Sequence, residues 1–164
     1  MSKTMNNLKE AFAGESQANR KYLAFAKQAD KEGHHQVARL FRAVAEAETV
    51  HAHAHLKLMG GIGTTEENLK EALGGETHEF TQMYPQMIAD AQEEGQRAVE
   101  RGFHFANEVE KIHAGLYEKA LQDLGKQAET DIHVCSVCGY TIEGDTPEKC
   151  PVCNAAKKAF FKVD

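Results

Sequence analysis

Glu48-x-x-His51 and Glu110-x-x-His113 lie 62 residues apart, and each sets a carboxylate and an imidazole three positions from one another. On a helix that spacing rises about 4.5 Å and returns to the same face, so both side chains reach one metal ion. Two more glutamates, Glu15 and Glu76, stand in matching contexts, Gly14-Glu15-Ser16 and Gly75-Glu76-Thr77. All four cysteines fall near the other end, as Cys135-x-x-Cys138 and Cys150-x-x-Cys153, with 11 residues between the pairs. Two such knuckles wrap one metal in four thiolates. In a reducing compartment, paired CxxC motifs read as a metal site before they read as disulfides.

The elements that must position these groups are helical. Residues 1–130 contain a single proline, Pro85, and apolar positions recur with helical period. Breaks fall at Gly33, at Gly60-Gly61-Ile62-Gly63 and at Gly95. The pattern predicts helices over about 4–32, 35–59, 66–94 and 96–129. Short connections between the first and second, and the third and fourth, predict antiparallel hairpins in a four-helix bundle. The halves repeat. Gly14-Glu15 returns as Gly75-Glu76 after 61 residues, while Gly33 returns as Gly95, and Glu48-x-x-His51 as Glu110-x-x-His113, after 62.

Each helix carries an apolar stripe with a glutamate near its middle: Glu15 among Leu8, Phe12 and Tyr22; Glu48 among Val37, Leu40, Val44 and Leu58; Glu76 among Leu69, Leu73 and Met83; Glu110 among Val99, Phe103 and Tyr117. Ionised carboxylates aimed at one core layer repel one another unless positive charge compensates them. No lysine or arginine occupies these stripes, so bound cations must. Mixed carboxylate and imidazole ligation suits iron or manganese. One Glu from each of two helices with Glu-x-x-His from the other two is the ligand pattern of ferritin-like di-iron proteins. Glu79, one turn beyond Glu76, breaks the repeat, because its counterpart is Ala18. It reads either as a solvent-edge residue or as a fifth carboxylate. Glu46, Glu108, His53, His78 and His104 read as surface residues. His55 reads equally as an outer partner of the metal site and as a polar end to the core.

A net charge of −6, with no basic stripe, argues against a nucleic-acid partner. No apolar run reaches membrane-spanning length, and MSKTMNNLKE has no signal-peptide core, so the expectation is a cytoplasmic protein. Residues 1–130 are expected to form the helical metal domain and 131–164 the thiolate domain. A tail this small needs a metal to fold. The cysteine spacing leaves iron and zinc both open there.

The order GES, Tyr22, Glu48-x-x-His51, GETHEFTQMYP, Glu110-x-x-His113, CSVCGY and CPVC resembles the rubrerythrins over nearly the whole chain. The resemblance implies a ferritin-like four-helix bundle with a C-terminal rubredoxin-like domain, carrying a carboxylate-bridged di-iron centre and one iron bound by Cys135, Cys138, Cys150 and Cys153. Glu48 and Glu110 are then bridging ligands, Glu15 and Glu76 terminal ones, and His113 binds one iron. The other iron exchanges Glu79 for His51 on reduction, and Tyr22 and Tyr84 flank the cluster. The implied activity is reduction of hydrogen peroxide to water, with electrons from rubredoxin or an NAD(P)H-dependent reductase entering through the thiolate iron.

Two other readings share parts of this set. A ferroxidase or iron-storage protein uses the bundle ligands but has no need of Glu79 or a redox-active tail. A non-enzymatic metal-binding module carries a zinc ribbon. If the fourth helix runs to residue 129, it continues for about 16 residues, roughly 24 Å, beyond His113. That separation of the two metal sites predicts a homodimer, head-to-tail or hairpin-swapped, in which one chain's thiolate iron serves the other's di-iron centre.

Overall fold

The computed structural model describes residues 2–164. The chain divides into two compact units, one ending at Gly63 and one covering Thr64–Asp164.

The first unit is a helical hairpin of α1 (Lys3–Lys31) and α2 (His35–Leu58). Ser2 starts α1 by accepting a hydrogen bond from the Met5 amide at 3.2 Å. Gly33, at φ +82°, reverses the chain, and the His34 amide closes the turn onto the Ala29 carbonyl at 2.8 Å. Small residues form the seam: Ala26, Ala29, Ala38, Ala45 and Ala52 are buried, which lets the two backbones approach closely. Asn19 pins the seam across its centre, its amide donating to the Ala45 carbonyl at 2.7 Å and the Thr49 hydroxyl at 2.8 Å. Tyr22, Phe25 and Phe41 stack beside it.

The second unit begins with a capping box, in which Thr64 and Glu67 satisfy each other's backbone amides. Helix α3 (Thr65–His78) passes into a single π turn (Glu79–Met83) and continues as α4 (Tyr84–Glu93), antiparallel to α5 (Arg97–Gln122). Gly95, at φ +68°, makes the same reversal as Gly33, with the Gln96 amide on the Ala91 carbonyl, again at 2.8 Å. Ile88, Ala91 and Ala114 are buried where the repeat places Ala26, Ala29 and Ala52.

The π turn explains the two offsets in the repeat. One added residue in a helix is accommodated as a π bulge. The offset is 61 at Glu76, before the turn, and 62 at Gly95, after it. Expected helix 66–94 is therefore one continuous rod with its register shifted midway.

Two expectations need correction. The stripes read as inward are only partly so, because Val37, Leu40 and Leu58 are exposed. Two helices bury the seam they share and little else, and these residues lie off that seam. Helix α5 also stops at Gln122, short of residue 129. Its end is capped by Gln127, whose amide donates to the Ala120 carbonyl at 2.9 Å, and Gly125 at φ +80° turns the chain back.

The turned chain forms a small antiparallel sheet in the order β2-β1-β3, from β1 (Ile132–Cys135), β2 (Thr141–Glu143) and β3 (Phe160–Val163). Val134 pairs with Thr141 and Cys135 with Phe160, which holds the first knuckle at the sheet's end.

Candidate metal centres

The four cysteine thiols converge. Cys135 Sγ lies 3.7 Å from Cys153 Sγ, and Cys138 Sγ 3.5 Å from Cys150 Sγ. Sulfurs placed tetrahedrally about 2.3 Å from one metal would be about 3.8 Å apart, so the cradle has the size of a tetrathiolate site. Each knuckle needs one residue in the left-handed region straight after its second cysteine. Gly139 (φ +87°) and Asn154 (φ +60°) fill those places, with their amides on the Cys135 and Cys150 carbonyls at 2.8 and 2.9 Å. Burial pushes the Cys138 and Cys153 thiols up. Cys135 feels the same burial, but the backbone amides of Val137 and Cys138, together with the Cys153 and Cys138 thiols, hold its thiol down.

In the first unit, Glu15, Glu48 and His51 bring ligand atoms within 4.8 Å of one another. His51 Nδ1 faces Glu48 Oε2 at 3.2 Å and Glu15 Oε1 at 3.9 Å. The two carboxyls share a hydrogen bond, which raises Glu15 above the usual carboxylate range, with burial adding to it, and lowers Glu48. Two carboxyls converging on an imidazole fit a site built for a cation.

Glu76, Glu110 and His113 form the equivalent cluster in the second unit. His113 Nδ1 faces Glu110 Oε2 at 2.8 Å and Glu76 Oε2 at 3.8 Å. Burial, then the charge of Glu110, holds the Glu76 carboxyl high. Tyr84 stacks on Phe103, with ring centres 6.0 Å apart. Its hydroxyl is raised by burial and then by the charges of Glu110, Glu79 and Glu76. Glu79 is the first residue of the π turn and half-buried, beside this cluster but outside the three converging groups.

Six of the seven expected di-iron ligands thus fall into two triads, Glu79 lies outside both, and Tyr22 and Tyr84 stand one in each unit. His53, His78, His104, Glu46 and Glu108 are exposed. His55 is half-buried near Glu15, with its Nδ1 buried and unpaired.

One set of contacts was not foreseen from the sequence. His113 Nε2 lies 3.0 Å from Thr141 Oγ1 and 3.3 Å from the Gly139 carbonyl. The expected 24 Å between the metal sites of one chain therefore does not hold, and it no longer requires a partner chain's thiolate site to serve this triad, because the chain after Gln122 returns the first knuckle to the helical triad. No local signal marks Thr141, since its partner is 28 positions away.

Helical hairpins with paired carboxylate–imidazole triads, followed by a tetrathiolate knuckle domain, define a class of non-haem iron proteins. The chain belongs to the rubrerythrin family: the family's pattern matches residues 6–121, and that of its rubredoxin-like domain matches residues 133–161. It is 35% identical to rubrerythrin-2 of Clostridium acetobutylicum, over 96% of this chain and 95% of that protein. It is 37% identical to nigerythrin of Nitratidesulfovibrio vulgaris, over 96% of this chain and 85% of that one. Solved structures of nigerythrin in its partially reduced and fully reduced, all-ferrous states each align with a TM-score of 0.61 at 36% identity, covering 99% of this chain and 88% of theirs. Membership carries the ferritin-like fold class, a di-iron carboxylate centre and a rubredoxin-like iron held by four cysteines, and the donor sets above suit both. The family's proteins are oxidoreductases of oxidative-stress defence. Among the described residues, no helix is long and apolar enough to cross a membrane.

Proposed function

We propose that this protein reduces hydrogen peroxide to water in the cytoplasm, H2O2 + 2e⁻ + 2H⁺ giving two waters. Its electrons come from rubredoxin or an NAD(P)H-dependent reductase. Glu15, Glu48, His51, Glu76, Glu110 and His113, with Glu79, hold two irons, and the four cysteines hold a third. Residues 1–130 and 131–164 are the two functional domains, and the working form is a homodimer. The iron pair supplies two electrons at one place, which is what cleavage of an O–O bond needs.

The chain's own residues do the rest. The carboxyl pairs in the triads concentrate negative charge for two cations. Tyr84, whose hydroxyl holds its proton above the usual tyrosine range, is a proton donor at the edge of the second triad, and Tyr22 has the matching place in the first hairpin. Glu79, carried on the π turn, and His51 would serve as alternative ligands to one iron. The observation that carries the reading is the tetrathiolate cradle against His113, because an electron relay belongs to a reductase and not to an iron store.

The test is a visible spectrum of the reduced, iron-loaded protein before and after stoichiometric peroxide. Rapid return of a red ferric-thiolate absorption supports the proposal. A colourless protein holding one zinc per chain, which still consumes iron and oxygen, replaces it with a ferroxidase.

A further inference from the structure

The contact between the first knuckle and His113 has a definite hydrogen-bond sense. The Gly139 carbonyl can only accept. Thr141 Oγ1 lies 3.0 Å from that same carbonyl and gives it its one proton. Toward His113 the hydroxyl therefore offers only a lone pair. Nδ1 faces the Glu110 and Glu76 carboxyls, so a metal held there would leave the ring proton on Nε2, toward Thr141 Oγ1 at 3.0 Å and the Gly139 carbonyl at 3.3 Å. A partner on the outer nitrogen that fixes both tautomer and ring angle is how proteins orient a ligating imidazole.

The geometry around the contact is built. Gly139 adopts φ +87°, which aims its carbonyl out of the knuckle, and the position where a Cβ would stand is 3.7 Å from buried Val109 on α5. Lys119 on α5 forms an ion pair with Glu143, two residues past Thr141 on β2. Ring, strand and knuckle are thus fixed at three points within one unit. His113 is 24% exposed, whereas His51, its counterpart in the repeat, is 56% exposed and has no partner at Nε2 among the described residues.

We propose that Thr141 is a positioning residue: with the Gly139 carbonyl it locks the tautomer and angle of His113, and so couples the Cys138 knuckle to the second helical triad of the same chain. A continuous path then runs from Cys138 through the Gly139 peptide and one hydrogen bond to the imidazole. Loaded with iron, the four cysteines would hold a one-electron donor at one end of that path and Glu76, Glu110 and His113 an acceptor at the other. This extends the peroxide-reductase reading and rests on it only for that transfer; the lock itself is a property of the folded chain.

Two readouts separate these. In zinc-loaded protein, ¹⁵N-histidine NMR should show His113 as an Nε2–H imidazole whose proton exchanges slowly with water. Thr141→Val keeps the side chain's shape and its strand preference but removes the acceptor, and should lose the slow exchange; Thr141→Ser should retain it. In iron-loaded protein, Thr141→Val should slow the return of the ferric-thiolate colour after peroxide by roughly 10- to 100-fold, with Thr141→Ser near the original rate. If Thr141→Val leaves the NMR signature unchanged, the lock is wrong. If the signature goes but colour returns at the original rate, Thr141 only holds the tail in place and the coupling is wrong. Absence of peroxide-driven colour return in the unaltered protein would overturn the function proposed above and leave the NMR result to decide the lock.

Discussion

The two helical hairpins come from one repeat and differ where chemistry is at stake. Their turns are made alike by Gly33 and Gly95, and their triads match residue for residue. The first hairpin has no π turn, has Ala18 at the place that corresponds to Glu79, and leaves His51 open to solvent. The second carries one extra residue, taken up as a π turn that begins at Glu79, and has His113 held by Thr141 and Gly139. A duplicated scaffold thus yields two unlike halves from one inserted residue and one returning tail. The held imidazole suits a permanent ligand, and the open one suits a ligand that moves.

Several changes would break this contrast, beginning with the most severe. Cys150→Ser should remove the tail metal and unfold the tail, since so small a domain depends on its metal. The red absorption should vanish and peroxide-driven cycling stop, while far-ultraviolet circular dichroism keeps its helical signal and His113 loses its slow-exchanging proton. Retention of that proton would show that the tail's contact survives without a metal.

Glu79→Ala should lower peroxide turnover by roughly 10- to 100-fold with iron content unchanged. Deleting Thr81, which removes the extra residue and returns the rod to plain α-helix, should lower it likewise. Equal turnover in both variants and the original would make the π turn incidental to the reaction.

His113→Ala and His51→Ala sharpen the comparison directly. Loss of the held imidazole should weaken ferrous binding by roughly 10-fold more than loss of the open one, because less ordering is needed to bind. Anaerobic ferrous titration of the two variants measures it, and equal losses would mean that the lock has no effect on affinity.

The smallest effects concern stability. Asn19→Ala, which strips two hydrogen bonds from the first hairpin's seam, should cost about 1–3 kcal/mol in urea unfolding. Thr64→Ala should cost about 1 kcal/mol by removing the capping box that starts the second unit.

Much of this was legible in the chain because it depends on short range. The helix breaks follow from Gly33, Gly60 and Gly95, and apart from the end of α5 the helix ends lie within a residue or two of their expected places. The triads follow from i, i+3 spacing together with the repeat, and the tetrathiolate cradle from paired CxxC. Even the π turn was encoded, as the step from an offset of 61 to one of 62, although a step in a repeat does not say whether a helix absorbs it as a bulge or breaks.

The tertiary structure alone decided the rest. Hydrophobic pattern named the stripe residues but could not say that the hairpin seam runs along Ala26, Ala38 and Ala45, leaving Leu40 and Leu58 exposed; helical period fixes which residues share a face, and only packing fixes which neighbour that face meets. The end of α5 depended on Gln127 reaching back to Ala120, a cap formed by a side chain beyond the helix. That cap turns the knuckle toward His113 instead of away from it. Ligand identity is therefore a property of sequence, because it needs only residue type and local period. Ligand orientation, and with it the difference between the two histidines, is a property of the fold, because the atoms that set it lie 26 and 28 positions away along the chain.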